Sequence, residues 1–287
     1  MQKQVLAIHD VSCVGRCSLT VALPVLSAAG LHTSVLPTAL LSTHTGEFTG
    51  YFCLDLTGEM EKIFTHFQTL PLRFDGLYSG FLGSWEQIAL VGQVFSFYKA
   101  QRPLVLVDPV MADHGRLYAT YTEQMARGMG DLCRQADVIV PNLTEAAILL
   151  EESYQEHPSG AQVERMLRDL HRRYGCRQVV LTGVEREGLL GAAAYDAQTG
   201  RFSFAGKPTL PGIFYGTGDV LASALLAGLL RDKPLEAAVE LAVSFTYESM
   251  LHTLDNGLPL RYGVAFEQAI PMLVNALASC KTPAPAE

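Results

Sequence analysis

The segment Gly216-Thr217-Gly218-Asp219, running straight into the apolar stretch 220–230, is the part of this chain best suited to chemistry. Two glycines let the backbone turn sharply and approach a ligand closely. The first N–H groups of the following helix lack intrahelical partners, so they can cradle an anion. Asp219 falls in that first turn. A carboxylate there can act as a general base, or it can simply favour the helix dipole by about 0.3–1 kcal/mol. The motif alone leaves both roles open. It is not a dinucleotide fingerprint, because the third glycine is missing. The helix end is expected to hold the Asp219 pKa low, leaving it ionised at neutral pH.

Other oxygen-bearing side chains fall where short apolar runs end. Asp108-Pro109-Val110-Met111-Ala112-Asp113 carries two carboxylates, and Pro141-Asn142-Leu143-Thr144-Glu145 an amide and a carboxylate. Taken singly, Asn142 or Thr144 reads as a helix cap and Glu145 as a first-turn charge. Together, acid clusters beside strand ends suit Mg²⁺, which keeps waters and bridges phosphates. His9, Asp10 and Thr182 end other runs. A P-loop look-alike from Gly200 to Gly206-Lys207 has one residue too many between its glycines, and Pro208 where Ser or Thr is needed.

These groups must be positioned by a sheet. Residues 5–9, 33–37, 77–79, 104–107, 138–140 and 179–182 read as strands. Runs such as LVLVD and QVVLT lack in/out alternation, so they belong to strands buried on both faces. Helical periodicity falls at 18–29, with Pro24 inside and Gly30 after it, and at 58–70, 85–100, 120–133 and 161–174. Residues 189–195 and 201–205 flank a turn and predict an antiparallel hairpin. Helices at 218–230, 235–253 and 264–278 follow, then a frayed tail at 281–287. The expected fold is α/β: a three-layer α/β/α sandwich around a mostly parallel sheet, in one domain over 1–287. Ligands of such sheets sit beyond the carboxyl ends of the strands, where the polar residues cluster.

The chain has 287 residues, 49% hydrophobic and 17% charged, with a net charge of -8 and no basic stripe. Nucleic acid is therefore not expected as a partner, and any phosphate site must be local. Six scattered cysteines form no disulfide framework. Cys13 and Cys17 read as free thiols rather than a zinc pair. No apolar run approaches the ~20 residues of a membrane span. A cytoplasmic setting is expected.

Taken in order, these motifs resemble the ribokinase superfamily, and within it the pyridoxal kinases, from residue 5 to about 278. Gly216–Asp219 with Pro141-Asn142-x-x-Glu145 resembles the superfamily signature. Ser42-Thr43-His44-Thr45 with Phe48-Thr49-Gly50, Ser79-Gly80-Phe81-Leu82-Gly83-Ser84, and Asp108-Pro109-Val110-Met111 are similar to pyridoxal kinase segments. The resemblance implies ATP and Mg²⁺, admits a monovalent cation, and implies a homodimer acting on a B6 vitamer (pyridoxal, pyridoxamine or pyridoxine). It makes Asp219 the base and Gly216, Thr217 and Gly218 the phosphoryl cradle. Asp113 and Glu145 would orient Mg²⁺. Asp108, Asn142 and Thr182 would line the nucleotide, and Asp10, His44, Thr45 and Phe81 would hold the pyridine. For His44, a satisfied structural histidine is an equal alternative.

Several positions depart from the pattern. Asp10 replaces a Ser, and would favour pyridoxamine if it faces that end of the ring. Phe81 replaces a Tyr, and Val14-Gly15-Arg16 a Tyr-Gly-His. Hydroxymethylpyrimidine kinase, or a non-catalytic B6-binding protein on the same fold, are the alternatives. The intact Asp219 argues against the second.

Overall fold

The computed structural model describes residues 2–118 and 121–278. Thr120, Cys280 and the expected tail at 281–287 lie outside the described residues. β1 (Gln4–Val14) leads through α1 (Leu19–Ala28) to β2 (His32–Thr43), the short β3 (Cys53–Asp55) and α2 (Thr57–Phe67). The chain then alternates through β4 (Gly76–Ser79), α3 (Trp85–Tyr98) and β5 (Leu104–Val107). A small ribbon of β6 (Ala112–Asp113) and β7 (Arg116–Leu117) precedes α4 (Glu123–Cys133). Next come β8 (Val138–Ile139), α5 (Leu143–Leu150), α6 (Gly160–Tyr174) and β9 (Gln178–Arg186). β10 (Leu189–Asp196) and β11 (Arg201–Pro208) form the expected hairpin, and α7 (Thr217–Leu230), α8 (Leu235–Asp255) and α9 (Phe266–Ala278) follow.

Nine strands form one sheet in the order β11-β10-β9-β8-β5-β4-β1-β2-β3. The six inner strands pair in parallel; β3 and the β10–β11 hairpin are antiparallel edges. Successive residues of the inner strands point into different layers. Leu6, Ile8, Leu77, Val105 and Val107 pack beneath α2 to α6, whereas Val5, Tyr78 and Leu106 pack beneath α1 and α7 to α9. Both faces are apolar, which explains why these strands show no alternation in sequence. This is the expected three-layer α/β/α arrangement.

β1 and β2 run longer than the sequence predicts, pairing as far as Val14↔Thr43 after a bulge between His9 and Val11. β4 stops at Ser79, so the end of β1 stands clear of it. The strand order reverses here: β2 lies to one side of β1 and β4 to the other, which opens a crevice at the strand ends. Of α5 the sequence signals only the cap, because eight residues give too little periodicity to mark its body. Among the described residues, no helix is long and apolar enough to cross a membrane.

Candidate active site

α7 begins at Gly216, where φ is +74°. A Cβ on Gly216 would stand 2.0 Å from the Arg16 carbonyl oxygen, so only glycine fits. A Cβ on Gly218 would meet nothing within 4 Å. The start of the helix thus faces open space with its first N–H groups unpaired, as an anion cradle requires.

Asp219 accepts a hydrogen bond from the Ser18 backbone N–H. Burial, aided by the nearby Asp10 charge, pushes its pKa from 3.8 up to about 7. The sequence predicts the opposite direction from the helix dipole. The dipole acts only locally and through modest energies, whereas desolvation of a carboxylate is large. At neutral pH the group is therefore poised between its forms, which suits a general base.

Ser18 serves two carboxylates. Its φ of +54° costs a non-glycine residue on the order of 1–3 kcal/mol. In that conformation its hydroxyl makes no cap for α1 and donates instead to Asp10 Oδ1 at 2.5 Å. Ser12 Oγ reaches Asp10 Oδ2 at 3.4 Å. Asp10 is buried, and desolvation raises its pKa despite these bonds. The sequence marked Ser18 only as a helix start; its second role depends on α1 packing against α7.

The acidic row lies on the opposite side of the cradle. Asp108 follows β5 and is buried, with its pKa pushed well up by desolvation and then by the charges of Glu145 and Asp219. Glu145 is held by backbone donors: Asn142 N–H at 2.8 Å and Met111 N–H at 3.1 Å. Burial still raises its pKa to about 8. Glu145 N–H in turn donates to Asn142 Oδ1 at 2.9 Å, closing a capping box on α5, and Asn142 Nδ2 donates to Ala112 O at 2.8 Å. Asn142 is also bridged to Thr182 on β9. Asp113 is half exposed; it accepts from the His114 N–H and lies 3.6 Å from the His114 ring. Among the described residues, no three His, Cys, Asp or Glu side chains converge as a metal cage.

On the other side, His44 is buried and both ring nitrogens are engaged. Nε2 donates to Arg261 O at 2.5 Å, and Nδ1 accepts from Gly46 N at 3.1 Å. Both nitrogens of this histidine are thus satisfied within the protein. Around it stand Phe48 at 4.9 Å and Tyr215 at 5.2 Å between ring centroids. Arg261 lies over the Phe48 ring at 5.4 Å. Tyr215, Arg261 and Tyr262 carried no recognisable sequence signal, being brought here from the far end of the chain. Thr45 is exposed on the same loop. Phe81 is half-buried, 6.2 Å from Tyr121, and separated from the His44 group by β1.

A sandwich of this topology, with a glycine turn and a carboxylate heading the helix beside its strand ends, defines a ribokinase-type phosphotransferase. The phosphomethylpyrimidine kinase family model matches residues 22–261. A pyridoxine/pyridoxal/pyridoxamine kinase of Bordetella avium is 31% identical over 83% of this chain and 81% of its own. The pyridoxal kinase structure from Lactobacillus plantarum superposes with a TM-score of 0.88 at 33% identity, covering 98% of this chain and 100% of that one. A Bacteroides thetaiotaomicron protein, assigned as a phosphomethylpyrimidine kinase and crystallised with pyridoxal, gives 0.90 at 35%, covering 95% and 96%. The chain belongs to the phosphomethylpyrimidine kinase family and, within the ribokinase superfamily, is an enzyme of the pyridoxal kinase group.

Proposed function

We propose that this kinase transfers the γ-phosphoryl group of ATP to the 5'-hydroxymethyl group of a B6 vitamer, in salvage of pyridoxal phosphate. The observation that carries the reading is Asp219: a carboxylate with a pKa of about 7, at the head of a helix whose Gly218 faces open space. Relatives at 30% identity and above act, by name, on pyridoxal and its congeners, or were crystallised with pyridoxal.

Asp219 takes the proton from the attacking hydroxyl, and the N–H groups from Gly216 to Asp219 hold the phosphoryl where charge develops. The acidic row fits Mg²⁺ in its donor chemistry. Asp108 and Glu145 are hard oxygen donors, both with pKa values raised first by burial and then by neighbouring carboxylates. Asp113 and Glu145 would hold the ion through its waters, and it would neutralise phosphate charge. Asp108, Asn142 and Thr182 line the nucleotide side. Asp10, His44, Thr45 and Phe81 line the vitamer side, His44 by its ring rather than its nitrogens. We take the chain to work as one domain, in the cytoplasm, as a homodimer.

Parallel turnover of ATP with pyridoxal, pyridoxamine, pyridoxine and hydroxymethylpyrimidine tests the reading. A B6 vitamer should be preferred. Turnover confined to hydroxymethylpyrimidine would transfer the assignment to that alcohol, and binding without turnover would leave only a B6-binding protein.

A further inference from the structure

Arg16 stands where the kinases it resembles carry His, and nothing in the proposed chemistry uses it. Its backbone nevertheless lies against the phosphoryl cradle. A Cβ on Gly216 would meet Arg16 O at 2.0 Å, and one on Gly263 would meet the same oxygen at 2.6 Å and Arg16 N at 3.0 Å. The peptide is thus sandwiched between two left-handed glycines, Gly216 at φ +74° and Gly263 at φ +84°. Arg16 N–H donates to Tyr262 O at 2.9 Å. Outward, Arg16 Nε donates to both oxygens of Glu267, at 2.7 and 3.0 Å, in the first turn of α9.

We infer that Arg16, anchored by Glu267, is a positioning residue that sets the shape of the Gly216 turn and hence the seat of the transferring phosphoryl group. The load path is short. Glu267 fixes the Arg16 side chain; Tyr262 and Gly263 fix its amide; the carbonyl then limits where Gly216 can stand. Gly216 opens α7, and Asp219 lies three residues on. Displacement of a reacting group by about 1 Å lowers the rate of an aligned transfer by up to about a hundredfold, and a smaller shift by less. The same pair contributes little to folding, because Arg16 is 29% and Glu267 50% exposed, and exposed ion pairs are weak. Catalysis and stability should therefore separate.

The inference rests on reading Gly216–Asp219 as the phosphoryl site, and the test keeps the two apart. Steady-state kinetics would be measured on the full chain for Glu267→Gln, Arg16→Ala, the double variant and Arg16→Lys, with Asp219→Asn alongside. Glu267→Gln and Arg16→Ala should each lower kcat about tenfold, with KM for ATP and vitamer within about twofold. The double variant should be no worse than the poorer single one, and Arg16→Lys, which keeps the charge but loses the Nε–H donor, should fall between. Melting of Glu267→Gln should stay within about 2 °C of the wild type. A wild-type kcat in Glu267→Gln, or additive losses in the double variant, would overturn the positioning role. Undiminished turnover in Asp219→Asn would overturn the functional reading instead, whatever Glu267 does.

Discussion

Replacing Asp219 by Asn removes the proton acceptor but leaves an oxygen for the Ser18 N–H. Two consequences follow from the pKa of about 7. The first is kinetic. The base form is needed, so about nine-tenths of the free wild-type enzyme is competent at pH 8 and about one-tenth at pH 6. The ratio kcat/KM should fall about tenfold between them, and the Asn variant should lose about 10²–10⁴ in kcat. A carboxyl at its ordinary 3.8 would give a flat profile over this range.

The second consequence is thermodynamic, and its sign is opposite to that of a helix cap. Folding raises this acid's pKa, so the folded state binds the proton more tightly than the unfolded chain does. Stability is unaffected below about pH 4 and is lost as pH rises from 3.8 through about 7. At pH 8 the full difference corresponds to about 4 kcal/mol, reduced by the solvent that Asp219 still meets. Asp219→Asn should accordingly melt higher than the wild type at pH 8 by several degrees, with the advantage vanishing near pH 4. A pure cap predicts near-normal turnover and a loss of up to about 1 kcal/mol. The assays are a pH series of initial rates and of melting temperatures on both proteins. A flat rate profile, or an Asn variant that melts lower at pH 8 and turns over normally, would refute the reasoning.

Asp10→Ser should move the ratio of kcat/KM from pyridoxamine towards pyridoxal, and should also shift the acidic limb of the profile down, since a like charge beside Asp219 is removed. If the ratio does not move, Asp10 serves only as the acceptor for Ser18. Glu145→Gln should raise the Mg²⁺ concentration at half-maximal rate. It should also cost about 1–3 kcal/mol, because an amide cannot accept from both Met111 and Asn142 N–H groups. An unchanged Mg²⁺ dependence with activity intact would remove Glu145 from the metal role. Gly216→Ala should abolish turnover and lower the melting temperature, since its Cβ has no room beside the Arg16 carbonyl; normal kinetics would show that the turn tolerates a side chain.

Much of this enzyme is decided locally. The unalternating runs at 104–107 and 179–182 declared strands buried on both faces. The glycine turn and Asp219 declared a helix start fit for an anion, because backbone freedom and unpaired N–H groups are properties of a few adjacent residues. Asn142 and Glu145 formed the capping box that their spacing allows. What the sequence could not carry is whatever depends on a partner distant in the chain. His44 is tied to the carbonyl of Arg261, 217 residues away, and so its nitrogens are occupied. Asp219 looked acid-strengthened by its own helix, yet burial and the approach of Asp10 from β1 push its pKa the other way. Arg16 was only a departure from the family pattern until Gly216, Gly263 and Glu267 closed around it. Local propensities follow from neighbours in the chain, whereas desolvation and through-space charge exist only once the layers have packed.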